Sequence, residues 1–205
     1  MAWYKLDCKM LLLEGVVGLL SLNSCGEQAI SNPIIPIDKI EQSDIVFRRG
    51  EGLVSDVVLH ADADGLYSHI GVVVKHNDSL KVVHSVPGEG DFDGVKMESI
   101  DKFFASNRAQ KGEVARMDLN EMQRNKISRL AIKKAEEKVA FDYDYNLDDT
   151  TQLYCTELIV LLYKQIGIDI AQGRSTRVDL PGMSGDYVMP SDIYKNKKLI
   201  SIYKF

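Results

Sequence analysis

Thr151-Gln152-Leu153-Tyr154-Cys155-Thr156-Glu157-Leu158-Ile159-Val160 is the stretch on which the reading of this chain turns. It follows a polar loop, Tyr145-Asn146-Leu147-Asp148-Asp149-Thr150, and opens an apolar run of helical period through Leu161, Leu162, Tyr163 and Ile166. That run stops at Gly167, a residue suited to the left-handed position after a helix. Cys155 is therefore expected in the first turn of a buried helix. The unpaired N–H groups and positive dipole end there favour a thiolate, so a lowered cysteine pKa and a nucleophilic role are expected. A small buried core residue is the competing reading of a lone cysteine.

The totals set the frame. A chain of 205 residues suggests one domain, and 45% hydrophobic with 27% charged residues is ordinary globular composition. The net charge of −5 is spread without a basic stripe, which argues against nucleic acid as a partner. Three cysteines occur, at 8, 25 and 155, so the folded part keeps a single thiol and no disulfide framework.

Residues 1–24 read as an export signal: Lys5 and Lys9, then a mostly apolar run from Met10 to Leu22. Leu22-Asn23-Ser24-Cys25-Gly26 resembles a bacterial lipobox, in which cleavage precedes a cysteine that becomes acylated. An ordinary signal peptide or a short membrane anchor is the alternative, although a span needs about 20 apolar residues. The expected organisation is a signal at 1–24, lipidated Cys25 with a tether to residue 40, and one domain over 41–205. The location that follows is the bacterial cell envelope, with the membrane as a partner through the acylated N-terminus.

Within 41–205 the pattern gives a strand at Ser43–Arg48 and a short helix carrying Leu53, Val54, Val57 and Val58 on one face. A hairpin follows, with strands at 69–75 and 80–85 around His76-Asn77-Asp78-Ser79. Two more strands are expected at 94–99 and 113–117, separated by a short helix at 99–106. A helix with capping-box spacing opens at Asp118-Leu119-Asn120-Glu121 and runs to about residue 140. The Cys155 helix comes next, then a glycine-rich loop over 171–190, a helical turn capped at Pro190-Ser191-Asp192, and a strand at Lys198–Tyr203. Strands, then helices, then a final strand indicate an α+β domain with an antiparallel sheet.

Of the four histidines, His69 and His84 sit inside the hairpin strands. Facing residues of an antiparallel pair have numbers of constant sum. At 153 the two histidines are opposite and at 155 diagonal; an even sum turns them to opposite faces. Gly71 beside them leaves room for another element, such as the Cys155 helix, to approach. One reading is a relay in which His69 takes the Cys155 proton and His84 orients His69. Two half-buried histidines bonded to backbone are the plain alternative. A Cys/His/His zinc site is a third, disfavoured because no paired-ligand spacing such as CxxC or HxxxH occurs. Neither a metal nor a cofactor is expected.

Taken in order, these residues resemble the YiiX/YebB branch of the NlpC-type cysteine peptidase superfamily, a circularly permuted, papain-like group. Its "GDIVF" strand corresponds to Ser43-Asp44-Ile45-Val46-Phe47, and its "YSHVGIV" strand to Tyr67-Ser68-His69-Ile70-Gly71-Val72-Val73. Its strand with a polar third residue corresponds to Val82-Val83-His84-Ser85, and its "YC-x-E" helix to Tyr154-Cys155-Thr156-Glu157. Many relatives carry Glu where this chain has His84. The resemblance implies a papain-like site with catalytic Cys155, His69 and His84. It implies hydrolysis of an amide bond through a thioester, most often in peptidoglycan stem peptides. The Cys155 N–H, with Tyr154 or Tyr67 as a second donor, is the expected oxyanion contact. Arg174, Arg177 and Asp186 are expected on the cleft wall. A lipid acyltransferase or esterase is the rival activity, marked by a wide apolar cleft instead of a narrow charged one. A non-catalytic binding module is the other rival, marked by a blocked Cys155.

Overall fold

The computed structural model describes residues 31–205 apart from 63, 90, 91, 146–148, 181 and 182. The export signal, Cys25 and its lipidation lie outside the described residues. A six-stranded antiparallel sheet forms the centre of the molecule. Its strands are β1 (Ile45–Arg49), β2 (His69–His76), β3 (Ser79–Glu89), β4 (Phe92–Ser99), β5 (Lys111–Met117) and β8 (Leu199–Lys204). They lie in the order β4-β3-β2-β1-β5-β8. The helices are α1 (Leu53–Ala61), α2 (Ile100–Phe103), α3 (Glu121–Glu136), α4 (Cys155–Lys164) and α5 (Pro190–Tyr194).

Alternation along the strands gives the sheet two buried faces. Ile70, Val72 and Val74 of β2 and Val83 of β3 face α3 and α4, where Ile127, Ala131, Leu158, Ile159, Leu162 and Tyr163 complete the larger core. Val73 and Val82 face the other way, onto Ile100, Phe103 and Phe104 in and after α2. Ile35 and Ile40 are buried in this second cluster, and Asn32 accepts a hydrogen bond from the Ser106 N–H. The described part of the expected tether, 31–40, is thus packed on the domain because its isoleucines cover the outer sheet face.

Local signals place the elements. Asn120 and Gln123 form a reciprocal capping box at the start of α3, which ends at Glu136, earlier than its stripe suggested. The β2–β3 turn is the two-residue Asn77-Asp78, with φ of 47° and 57°. Asn and Asp tolerate this left-handed conformation better than other side chains, and paired positive φ values suit a tight hairpin. The stretch read as a loop over 171–190 contains a two-stranded ribbon, β6 (Thr176–Leu180) with β7 (Met183–Tyr187). Its short strands carry charged and small residues in place of apolar alternation, so the pattern gave no strand signal.

Asp44, at the entry to β1, is fully buried. Arg116 of β5 donates to its two oxygens from Nε and Nη2 at 2.7 and 2.8 Å. Burial pushes the Asp44 carboxyl up and Arg116 draws it back. Breaking a buried pair from one side strands the remaining charge. Arg116→Ala is expected to lower unfolding stability by about 3 kcal/mol in urea titration; a loss under about 1 kcal/mol would show that the pair is not what holds this strand entry.

Candidate active site

The thiol and the imidazoles come from opposite sides of the sheet. Helix α4 packs on the face that buries Ile70 and Val72, whereas His69 and His84 share the strand parity of Gly71, Val73 and Val82. They approach one another at the end of the sheet. Ladder pairing between β2 and β3 runs from His76↔Ser79 to Val72↔Val83 and goes no further toward His69. Beyond that point Ser85 Oγ donates to the Leu153 carbonyl, and Cys155, the first residue of α4, takes a hydrogen bond on sulfur from the Ile70 backbone. Cys155 and His69 line the same pocket.

The facing numbers of the β2–β3 hairpin sum to 155, the diagonal arrangement. His69 Nε2 lies 2.8 Å from His84 Nδ1. Phe103 stacks on the His69 ring and meets His84 edge-on, which fixes both rings. Gly71 serves a different purpose from the one expected. A Cβ there would come within 2.7 Å of Val82 Cγ1 and 3.1 Å of His84 Cβ. The vacated space admits the neighbouring strand's side chains, not the Cys155 helix.

Electrostatics also differ from expectation. The helix-start amides of Cys155 and Thr156 and the Ile70 N–H all favour a thiolate, yet burial outweighs them and pushes the Cys155 thiol up to about 11. Burial, followed by Arg48, His84, Arg108 and Lys96, holds His69 well below the usual histidine range. His84 is pushed down to about 4, chiefly by burial, against the pull of Glu98. The resting pair is a neutral thiol beside neutral imidazoles.

Tyr154 is buried, caps α4 and lines the pocket. Its backbone N–H donates to Glu157 Oε2 at 3.2 Å. Glu157 is thus a capping residue, and burial pushes its carboxyl up to about 8. Tyr67 is a core residue: it is buried, and its hydroxyl donates to Glu113 at 2.7 Å. Two neighbours of the site escaped the sequence reading. Tyr145 lines the pocket, and its phenol is pushed up by burial and by the nearby Cys155. Glu98 lies 3.0 Å from His84. Neither position carries a local signal, since Tyr145 sits in an irregular loop and Glu98 reaches His84 only through strand pairing.

The pocket has a volume of about 270 Å³. Helix α1 supplies Leu53, Val54, Val57 and Val58, the segment after β7 supplies Val188 and Met189, and Phe141 and Tyr145 complete the wall. Arg174, Arg177 and Asp186 stand elsewhere: Arg174 Nε donates to the Asp192 carbonyl, and Arg177 pairs with Asp186 at the surface. His69 also borders an adjoining, more polar recess of about 300 Å³, lined by Arg48, Ser55, Asn107 and Arg108 among others.

The sequence profile of the family described as "permuted papain-like amidase enzyme, YaeF/YiiX, C92 family" matches residues 39–199. The chain belongs to this permuted papain-like amidase family. A solved structure described as metalloprotein yiiX from Escherichia coli O157:H7 superposes with a TM-score of 0.68 at 19% identity, covering 82% of this chain and 98% of that one. At that identity the likeness establishes the fold alone. No curated protein matches the chain. The word metalloprotein belongs to that relative. Among the described residues of this family member no three His, Cys, Asp or Glu side chains are placed to hold a metal ion. The facing His69 and His84 nitrogens, 2.8 Å apart, also leave no room for an ion between them.

The neutral resting pair has a measurable consequence. Thiolate is the alkylated form, so the rate of Cys155 modification by iodoacetamide is expected to keep rising above pH 9 toward about 11. A plateau already reached in the acidic range would instead show a preformed thiolate–imidazolium pair.

Proposed function

We propose that the chain is a cysteine amidase working through Cys155, His69 and His84. The observation that carries this is the direct contact of His69 Nε2 with the buried His84 Nδ1, where His69 lines the same pocket as Cys155. With Nε2 engaged, His69 has Nδ1 left for the thiol. His69 removes the Cys155 proton as sulfur bonds to the acyl carbon, and the oxyanion rests against the Cys155 N–H at the start of α4. His69 then protonates the leaving amine as the C–N bond breaks, giving a thioester. Water, deprotonated by His69, breaks the C–S bond and restores the thiol. Because both groups begin neutral, His69 acts as a general base on a thiol and does not start as an imidazolium partner.

The pocket supports an apolar acyl group as the part of the substrate held beside sulfur, with the amine side toward the polar recess. This favours the lipid-type substrate class over a peptidoglycan stem peptide. The stem-peptide reading draws its support from the exported, lipidated N-terminus read in the sequence. A pure binding module is disfavoured because Cys155 keeps part of its surface open to the pocket.

Purified protein should be assayed on N-acyl amides of increasing chain length, beside defined cell-wall fragments. At about 0.8 kcal/mol per buried methylene, kcat/KM is expected to rise roughly fourfold per added carbon until the pocket is filled. Cys155→Ala and His69→Ala are expected to lose about 10³-fold or more in kcat/KM. Equal turnover by Cys155→Ala would end the nucleophile assignment, and faster turnover of cell-wall fragments would end the apolar-substrate reading. In cells, Cys25→Ala is expected to move the protein from the membrane fraction to the soluble one; retention would rule out lipidation as the anchor.

A further inference from the structure

We infer that Glu98 is a positioning residue for this site, fixing the proton on His84 Nε2 and, through His84, leaving the His69 Nδ1 lone pair free to act as base. The role in turnover rests on the reading proposed above; the proton placement rests on the contacts around Glu98 and on its charge.

Glu98 is reached by strand pairing. His84 faces Lys96 across β3 and β4, and Glu98 lies two residues further along the same face of β4. His69, His84 and Glu98 therefore form a slanted row over three neighbouring strands. His84 Nδ1 is 2.8 Å from His69 Nε2, and His84 Nε2 is 3.0 Å from Glu98 Oε1. The second contact is too bent for a formed hydrogen bond, and among the described residues no other group bonds that nitrogen. The His84 side chain is 0% exposed and that of Glu98 4%.

Three cations surround the carboxylate: Arg108 at 2.8 Å, Lys96 at 3.5 Å and Lys102 at 3.8 Å. Burial works against ionisation of Glu98, but His84, Arg108 and Lys96 prevail and hold it at about 2. An ionised carboxylate only accepts hydrogen bonds. A lone pair on His84 Nε2 would set two acceptors against each other in a dry site, at the cost of a buried unsatisfied pair. The proton therefore sits on His84 Nε2. His84 Nδ1 must then accept, so His69 Nε2 must donate, and His69 Nδ1 keeps its lone pair. Burial above all, with Arg48 from β1 and Lys96 from β4 behind it, opposes a second proton on His84 against the pull of Glu98, which keeps it neutral. One carboxylate thus determines where the protons of two histidines reside.

A bare structural role would make Glu98 merely the counter-ion of Arg108 and the two lysines. Long-range proton–nitrogen NMR on full-length protein labelled at histidine nitrogen separates the two. In the unmodified protein at neutral pH, His69 and His84 are both expected as Nε2–H tautomers; a proton on His84 Nδ1 overturns the inference without any variant. Glu98→Gln keeps the shape but can donate as well as accept. It is expected to mix the tautomers of both rings, to lower kcat/KM about 10- to 100-fold, and to leave KM within about twofold. Unchanged tautomers and unchanged kcat/KM with only a lower melting temperature would make Glu98 a counter-ion and overturn the proposal. Should Glu98→Gln not fold, the tautomers of the unmodified protein decide alone. Failure of the amidase reading shows separately, as activity retained by Cys155→Ala, and leaves the tautomer result standing.

Discussion

A two-residue turn governs the site. Asn77 and Asp78 occupy left-handed backbone, so β2 and β3 face each other with numbers summing to 155. A register one residue away would send His69 and His84 to opposite faces. With the observed register the two rings meet on the diagonal, and the next diagonal step delivers Glu98. The meeting of the two imidazoles therefore depends on a backbone conformation at the other end of the hairpin. Once the pairing is set, Phe103 stacks against the rings and Gly71 makes space for His84.

The way the sheet ends matters as much as the way it pairs. Paired strands have no vacant amides to offer, and a helix lying across their middle would be kept from the imidazoles by the sheet itself. Because the β2–β3 ladder stops at Val72↔Val83, the Ile70 N–H is free to meet sulfur and the first turn of α4 is seated there. Partial burial there weighs against charge, pushing the thiol up and the imidazole down. Burial wins over the helix dipole because only a few amides oppose the loss of hydration on a whole charge.

Much of this was legible in the sequence because it depends on local pattern. The hairpin, the start of α4 at Cys155, the α3 cap and the closing strand all follow from alternation, helical period and turn residues. The family motifs, in their order, carried the fold. What was hidden depends on three dimensions. Glu98 becomes a neighbour of His84 only through the β3–β4 register. The β6–β7 ribbon lacks apolar alternation, so its residues read as loop. Ile35 and Ile40 looked like part of a linker because their burial partners, Phe103 and Phe104 among them, lie far along the chain. The raised Cys155 pKa was hidden too, since sequence shows the helix end but not the depth at which it is buried.

Helix α1 forms the roof of the pocket and is fastened at both ends. Ser55 Oγ binds the Gly50 carbonyl and lies 2.6 Å from Ser68 Oγ at one end; Ser191 donates from Oγ and N to the buried Asp62 carboxylate at the other. Those bonds tie the roof to the ends of β1 and β2 and to α5, so the bore of the cavity is inherited from the sheet and from α5. Ser55, Asp62 and Ser191 set its width without being among the residues that line it.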